Sequence, residues 1–141
     1  MIYLDTNIII YAIENHHKYG KACAKILLDI QNDKIKACSS MLVLIEAINV
    51  LNKLNKILEK EGKKHLDIKS NIDAILSLPI IWFDIGFPAI KRASEYDYSV
   101  SPVDYIHIAT METNNVEKII SADEELDRIK SIERIDPMRY R

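Results

Sequence analysis

The sequence predicts a three-layer α/β/α fold, in which helices cover both faces of a central, mainly parallel β-sheet. Short apolar segments alternate with longer segments of helical periodicity along the whole chain, and this order is typical of βαβ units. The apolar segments are nearly continuous, as expected for strands that are buried on both faces. The 141 residues contain no repeat, low-complexity tract or linker, so we expect a single domain over residues 1–141.

The first half of the chain is expected to open with a strand at Ile2–Leu4, because this short apolar run ends at a carboxylate. The longest helix carries Leu44, Ile48 and Leu51 on its predicted apolar face and ends at Gly62. The predicted order is a strand at residues 2–4, helices at 8–13 and 17–32, a strand at 35–38, a helix from 39 or 40 to 61, and a helix at 66–78.

The second half begins with a strand at Ile80–Phe83, because Pro79 stops the helix before it. Ser101 and Pro102 are the cap and the first residue that a helix start favours, and the helix they open carries Asp104. The predicted order is a strand at residues 80–83, helices at 86–98 and about 102–114, a strand at 118–120, a short helix at 124–129 and a last edge strand at 132–135.

Composition excludes several classes of protein. The net charge of −2 and the pI of about 6.1 exclude binding of nucleic acid through bulk positive charge. Cys23 and Cys38 are not spaced as a zinc-binding pair, so we expect buried free thiols in a reducing compartment. No apolar run approaches the roughly 18 residues that a membrane span needs, and the start lacks a basic segment typical of signal peptides. We therefore expect a cytoplasmic protein.

Four acidic residues are expected to meet at one rim of the sheet. Asp5 follows the first strand and Asp123 follows the fourth, and ligands of such sheets bind outside the carboxyl ends of the strands. Asp104 lies in the first turn of a helix that starts at this edge. Glu46 lies within the apolar sequence VLIEAI, where an unpaired acid is costly to bury. The four together predict a site for a divalent cation with hard oxygen ligands, which suits Mg²⁺ or Mn²⁺ and not zinc.

Each acid also has an ordinary structural role open to it. Asp5 and Asp123 can cap the helices that follow them, and Asp104 is favoured near a helix N-terminus by the helix dipole. Glu46 can be a solvated helix residue. His107, one turn after Asp104, fits a packed or partner-bonded histidine better than a ligand. The joint placement of the acids therefore carries more weight than any one of them.

Four motifs, LDTN, LIEAIN, SPVDYIHIAT and IISADEEL, together resemble the PIN-domain family, whose fold is Rossmann-like. A domain of this length without additions resembles the VapC-type toxins of VapBC toxin–antitoxin pairs. The resemblance implies a ribonuclease that cuts single-stranded or structured RNA, forms a homodimer and is silenced by an antitoxin protein. It places the catalytic and metal-binding roles on Asp5, Glu46, Asp104 and Asp123, and supporting roles on Asn7 and Ser121. Tyr105 departs from the family, which usually has alanine there.

Within the expected site, Asp5 and Asp104 are predicted as direct ligands, while Glu46 and Asp123 orient water or a second ion. Ile9, Ile10 and the helix segment 27–30 are predicted as a dimer interface. Basic residues beyond the acidic rim are candidates for binding phosphates, and these are Lys53, Lys56, Lys91, Arg92, Arg128 and Lys130.

Other classes remain open at this point. An aspartyl phosphatase needs a second acid two residues after Asp5, and Asn7 stands there. A receiver domain needs an adjacent acidic pair and a later lysine that the chain does not supply in that arrangement. A PIN-type nuclease of RNA processing without an antitoxin, and a catalytically silent PIN fold that only binds, both stay as alternatives.

Overall fold

A fully parallel five-stranded sheet in the order β3-β2-β1-β4-β5 lies at the centre of the molecule. The computed structural model describes residues 1–97 and 100–140, without the side chains of residues 102 and 103. The strands are β1 (Ile2–Leu4), β2 (Ala37–Ser40), β3 (Ile80–Phe83), β4 (Lys118–Ile120) and β5 (Glu133–Ile135). The predicted three-layer α/β/α class is confirmed, and the sheet is parallel throughout.

Helices connect the strands, as crossovers between parallel strands require. They are α1 (Thr6–Ile13), α2 (Gly20–Gln31), α3 (Met41–Lys60), α4 (Ile68–Leu76), α5 (Phe87–Ala93), α6 (Pro102–Thr113) and a 3₁₀ helix at Glu124–Arg128. In the part of the chain that is described, no helix combines the length and the apolar character that crossing a membrane demands.

Successive side chains of the central strands point to opposite faces of the sheet, so the core is divided into two apolar clusters, one on each face. Tyr3 of β1 and Ile119 of β4 pack into one apolar cluster, whereas their neighbours Leu4 and Ile120 pack into another. All four side chains are essentially inaccessible to solvent. Both cysteines are buried free thiols, as predicted.

Several predicted boundaries are wrong by a few residues. β2 begins at Ala37 and includes both serines, because Ser39 and Ser40 complete the ladder with β3. α2 begins at Gly20 and not at residue 17. α5 ends at Ala93, where Ser94 is the C-cap, whereas the prediction ran to residue 98, which lies outside the described residues. The segment at 124–129 is 3₁₀ and not α-helical.

The predicted apolar face of α3 is correct at Leu51 and wrong at Ile48, while Leu44 is partly buried against the core. The structure buries Val43, Ala47 and Leu51 and leaves Ile48 41% exposed. Ala47 and Leu51 share a cluster with Ile10 of α1, so the small side chain of alanine lies where the two helices meet. Sequence periodicity favoured the larger isoleucine, but a close helix contact prefers the small residue.

The predicted dimer interface is only partly at the surface of the molecule. Ile9 is 0% exposed and Ile10 is 5% exposed, because both belong to the core clusters. Ile30 is buried in the same way, whereas Leu28 is 52% exposed. Ile9, Ile10 and Ile30 therefore cannot contact a second copy, whereas the exposed side chain of Leu28 can.

Candidate functional site

The site lies where β1 and β4 end, because these strands are neighbours in the sheet. Leu4 is in register with Ile120, so the next residues, Asp5 and Ser121, emerge side by side. The Ser121 hydroxyl donates to Asp5 Oδ2 at 2.6 Å, and the Asp5 amide donates to the Ile120 carbonyl at 3.1 Å. The predicted meeting of the two strand ends at one edge is therefore observed.

Asp5 is held by three donors. Its Oδ1 accepts the Thr6 amide at 2.8 Å, and its Oδ2 accepts Asn7 Nδ2 at 3.3 Å in addition to the Ser121 hydroxyl. The residue is only 7% exposed and is also the N-cap of α1. The capping role and the site role are thus filled by the same carboxylate.

Asn7 and Ser121 fasten the loop after β4 to the start of α1. Asn7 Nδ2 donates to the Ser121 hydroxyl at 3.1 Å, and Asn7 Oδ1 accepts the Ala122 amide at 3.2 Å. The Asp123 amide donates to the Ser121 hydroxyl at 3.0 Å. These bonds bring the segment carrying Asp123 towards Asp5, so both predicted supporting residues lie in the site.

Asp104 faces the other acids from the first turn of α6. Ser101 caps the helix, and its hydroxyl also donates to Asp104 Oδ2 at 3.2 Å. Burial, together with the negative charges of Asp5 and Asp123, raises the pKa of Asp104 to about 6 against the opposing effects of Ser101 and His107. The raised pKa indicates that negative charge at this rim is not fully compensated by the protein.

Glu46 reaches the site from α3 with its side chain 31% exposed. Its Oε1 accepts the Thr6 hydroxyl at 3.0 Å and pairs with His107 Nε2 at 2.6 Å. Burial acts to raise the pKa of Glu46, but the hydrogen bond and charge of His107 and the Thr6 hydroxyl lower it overall. Glu46 is therefore a paired acid and not a solvated helix residue.

His107 is buried, with 3% exposure, and both ring nitrogens have partners. Nδ1 lies 2.7 Å from the Tyr3 hydroxyl, which donates to the Ser40 hydroxyl at 2.8 Å. Burial opposes protonation of His107, but the bond to Glu46 and the charges of Asp5, Glu46 and Asp104 raise its pKa overall. The expectation of a partner-bonded histidine is confirmed.

The four predicted acids line a single cleft of about 290 Å³, together with residues of α1 and α3. The lining residues are Asp5, Thr6, Asn7, Ile10, Tyr11, Glu46, Val50, Asp104 and Asp123. A larger groove of about 620 Å³ lies among α1, α2 and α4, but it is lined by apolar and uncharged polar residues. The chemistry of the acids therefore places the candidate site in the smaller cleft.

The tightest acidic group contains one residue that the sequence did not single out. Carboxylate oxygens of Asp104, Asp123 and Glu125 all lie within 4.8 Å of one another. Asp5 and Glu46 are not in this group, and their carboxylates are bonded to Ser121 and to His107 respectively. The signal for Glu125 was its place in the motif SADEEL, two residues after Asp123.

The donor set fits a hard divalent cation. The charged groups that line the cleft are all carboxylates, and both nitrogens of His107 are engaged by Tyr3 and Glu46, so His107 offers zinc no ligand. The raised pKa of Asp104 is the expected result of burying a carboxylate beside Asp5 and Asp123 without a counter-charge. Oxygen ligands of this kind suit Mg²⁺, Mn²⁺ or Ca²⁺.

Three residues of the site region were missed at the level of sequence. Thr6, Tyr3 and Ser40 hold Glu46 and His107 directly or through one another. The available signal was the hydroxyl of Tyr3 in the middle of a buried strand, since a buried polar group needs a partner. Tyr105, the departure from the resembled family, packs against Tyr96 with ring centres 5.7 Å apart and is not among the residues lining the cleft.

The candidate phosphate-binding residues do not all remain available. Arg92 is engaged by Glu95 at 3.0 Å and by Glu112 at 3.1 Å, and Arg128 also has a partner. All the candidates have exposed side chains, and the lysines among them are Lys53, Lys56, Lys91 and Lys130. Lys53 and Lys56 lie on α3, the helix that also carries Glu46 into the cleft.

A parallel α/β sheet with carboxylates gathered outside its central strands defines a class of proteins built to hold a cation beside a substrate. Within that class, this chain belongs to the PIN-domain family, because the model of the PIN domain matches residues 2–132. Membership supports a nuclease. No curated protein gives a significant match to the sequence.

Solved structures share the fold at low sequence identity. VapBC2 from Rickettsia felis, bound to a DNA fragment from its promoter, has a TM-score of 0.69 and 21% identity, covering 96% of this chain and 98% of that chain. VapC20 from Mycobacterium tuberculosis, a toxin that cleaves the sarcin-ricin loop, has a TM-score of 0.69 and 15% identity over 90% and 93%. DNA-bound VapBC from Salmonella typhimurium has a TM-score of 0.62 and 18% identity over 97% and 99%.

Proposed function

We propose that this chain is an endoribonuclease that hydrolyses phosphodiester bonds in RNA with Mg²⁺ or Mn²⁺. Residues 1–141 would act as one nuclease domain. The observation that carries the proposal is the convergence of carboxylates from four separate segments on a single cleft. The proposed metal-binding and catalytic residues are Asp5, Glu46, Asp104 and Asp123, supported by Asn7 and Ser121.

In this proposal, some residues of the cleft bind the cation and others orient water beside it. Asp5 and Asp104 are the proposed direct ligands, and the donors on Asp5 fix its carboxylate before anything binds. Asp123 and Glu46 would orient water on either side. A bound divalent cation supplies stabilisation of charge on phosphoryl oxygens and lowers the pKa of water. With the negative charge of the cleft neutralised, exposed lysines such as Lys53 can hold the phosphates of the flanking nucleotides.

We propose further that the chain is the toxin of a VapBC-type pair and that an antitoxin protein binds it. The support is the fold shared with solved VapBC assemblies over nearly the full length of both chains. An arginine of such a partner would pair well with the acidic cleft. A small upstream gene encoding a DNA-binding protein would support this assignment, whereas neighbours that act in ribosome maturation would support a nuclease of RNA processing.

The proposal predicts cleavage of RNA that depends on a divalent cation. Purified protein incubated with total RNA should cut it in the presence of Mg²⁺ or Mn²⁺ and should stop when a chelator is added, because the acids cannot hold RNA phosphates without a counter-ion. Gel analysis of the fragments is the measurement. Cleavage that resists the chelator would show that the acids are not metal ligands, and a fully inert protein would favour a silent binding module.

We also expect a homodimer, as the resemblance to VapC-type proteins implies. Light scattering should give about twice the mass of the 16.2 kDa chain. Exposed apolar side chains outside the cleft, such as Phe87 at 90% exposure, are the kind that an interface between copies buries. A monomer at high micromolar concentration would exclude the dimer while leaving the nuclease proposal intact.

A further inference from the structure

A continuous chain of hydrogen bonds leads from the core of the protein to Glu46. The Tyr3 hydroxyl donates to the Ser40 hydroxyl at 2.8 Å and lies 2.7 Å from His107 Nδ1, and His107 Nε2 lies 2.6 Å from Glu46 Oε1. Tyr3 and Ser40 are 0% exposed and His107 is 3% exposed. None of these three residues lines the cleft, so they cannot act on a substrate directly.

The donors and acceptors of this chain fix the orientation of the imidazole ring. The Tyr3 hydroxyl lies within hydrogen-bond distance of both Ser40 and His107 Nδ1, and a hydroxyl can either donate to Nδ1 or accept a proton from it, so this contact fixes the ring whichever group carries the proton. A carboxylate oxygen can only accept, so the Nε2 proton points at Glu46. Rotating the ring by 180° would place carbon atoms at both contacts, and both hydrogen bonds would be lost.

The fixed imidazole ring in turn holds the carboxylate of Glu46 in one orientation. Both hydrogen bonds that the described residues give to Glu46, from Thr6 and from His107, fall on Oε1. Oε2 accepts none from them, while Glu46 itself lines the cleft. A glutamate on a helix has three rotatable bonds, and two donors on one oxygen hold it in one orientation with the other oxygen available.

We propose that His107, oriented by Tyr3, is a positioning residue that sets the carboxylate of Glu46 so that Oε2 faces the proposed cation site and holds the water through which Glu46 contributes to binding of the divalent cation. The inference rests on the proposed function, because it takes the cleft as a cation site. It adds that the affinity for the cation depends on a residue buried behind the cleft and separated from it by Glu46.

The test measures Mn²⁺ affinity directly, from the loss of the electron paramagnetic resonance signal of free Mn²⁺ on titration with the full-length protein. Two neutral substitutions form a matched pair. In His107→Gln the amide nitrogen stands near the position of Nε2 and can still donate to Glu46, whereas in His107→Asn the shorter amide stands near Nδ1 and cannot. We expect His107→Asn to bind Mn²⁺ about 10- to 100-fold more weakly and His107→Gln to remain close to the wild type.

Two further variants separate positioning from general damage to the fold. Tyr3→Phe keeps the packing of the ring and removes the contact that orients His107, so it should also weaken Mn²⁺ binding. Glu46→Gln should weaken Mn²⁺ binding by itself, and in that background His107→Asn and Tyr3→Phe should have no further effect. Circular dichroism checks that each variant is folded.

The inference is overturned if Glu46→Gln leaves Mn²⁺ affinity unchanged, if both substitutions of His107 weaken it equally, or if the loss from Tyr3→Phe persists in the Glu46→Gln background. These readouts do not involve RNA. If Mn²⁺ binding follows the expected pattern and the wild type still cuts no RNA, the proposed nuclease function fails and the positioning role of His107 stands.

Discussion

Replacing Asp104 with asparagine is expected to abolish RNA cleavage and to raise the melting temperature of the metal-free protein. The loss of activity should exceed about a hundredfold, since even residues that only support a ligand contribute about 10- to 100-fold. The gain in stability comes from removing a charge whose burial, together with the neighbouring charges of Asp5 and Asp123, raises the pKa of Asp104 to about 6. Asparagine carries no charge and can still accept the Ser101 hydrogen bond, so the repulsion is removed and the cap is kept.

The stability difference between the wild type and Asp104→Asn should depend on pH, in a direction that follows from the raised pKa of Asp104. Because the folded pKa of about 6 lies above the ordinary value near 4, the protonated Asp104 stabilises the fold at low pH, and this contribution is lost as the pH rises through 6. At neutral pH the wild type should therefore be less stable than Asp104→Asn by about 1–3 kcal/mol. The difference should shrink below about pH 5.

Thermal denaturation in chelator at several pH values measures the difference. Asp33→Asn is the matched control, because Asp33 is exposed and has a φ of 57°, which asparagine tolerates. It should change neither stability nor cleavage. If Asp104→Asn instead lowers the melting temperature by several degrees, Asp104 acts first as a structural partner at the start of α6, and its place in the metal site loses its main physical support.

The same substitution at Asp5 is expected to have the opposite effect on stability. In every hydrogen bond between the Asp5 carboxylate and the described residues, the carboxylate is the acceptor. Oδ1 accepts from the Thr6 amide, and Oδ2 accepts from Ser121 and Asn7. An asparagine amide must turn its own donor towards one of these groups. Asp5→Asn should therefore cost about 1–3 kcal/mol of stability through a buried unsatisfied donor, besides losing more than about a hundredfold in cleavage, as expected for a direct ligand.

Denaturation by urea and the RNA cleavage assay, run on Asp5→Asn, Asp104→Asn and Asp33→Asn together, test this contrast. We expect Asp5→Asn and Asp104→Asn to be equally inactive in RNA cleavage, with stability lowered in the first and raised in the second. That result would show that the two acids share a site and differ in their local hydrogen bonds. An Asp5→Asn protein that cleaves RNA at the wild-type rate would remove Asp5 from the site.

Strand positions were predicted well where the local pattern is complete. Ile2–Leu4, Ile80–Phe83 and Lys118–Ile120 match the structure to the residue, because each apolar run is bounded by a charge, a proline or a turn. Ser39 and Ser40 were not assigned to β2, since a serine before an apolar helical segment predicts a helix cap, and Ser40 is indeed the N-cap of α3. They are buried because Ser39 donates to the Leu4 carbonyl at 2.9 Å and Ser40 accepts from Tyr3, and partners from another strand are not visible in a local sequence.

Part of the site could likewise be predicted from the order of the strands, and part depends on side-chain geometry that the sequence does not show. That Asp5 and Asp123 would share an edge follows from strand order alone. Two features of the site depend on rotamers and helix orientation. Glu125 lies within 4.8 Å of Asp104 and Asp123, and Glu46 pairs with a buried histidine at 2.6 Å. Sequence periodicity does not specify either of these.

The pairing of β1 with β4 has a consequence for how the molecule is made. Ile2 is in register with Lys118, so β1, which is synthesised before the other strands of this sheet, gains its neighbour β4 only after more than a hundred further residues have emerged from the ribosome. Until then Asp5 lacks the Ser121 hydroxyl, and the segment bearing Asp123 does not exist. Contacts between residues so distant in sequence form late and slowly. A nascent or stalled chain of the proposed nuclease would thus carry no assembled cleft, and the order of translation itself would delay its activity.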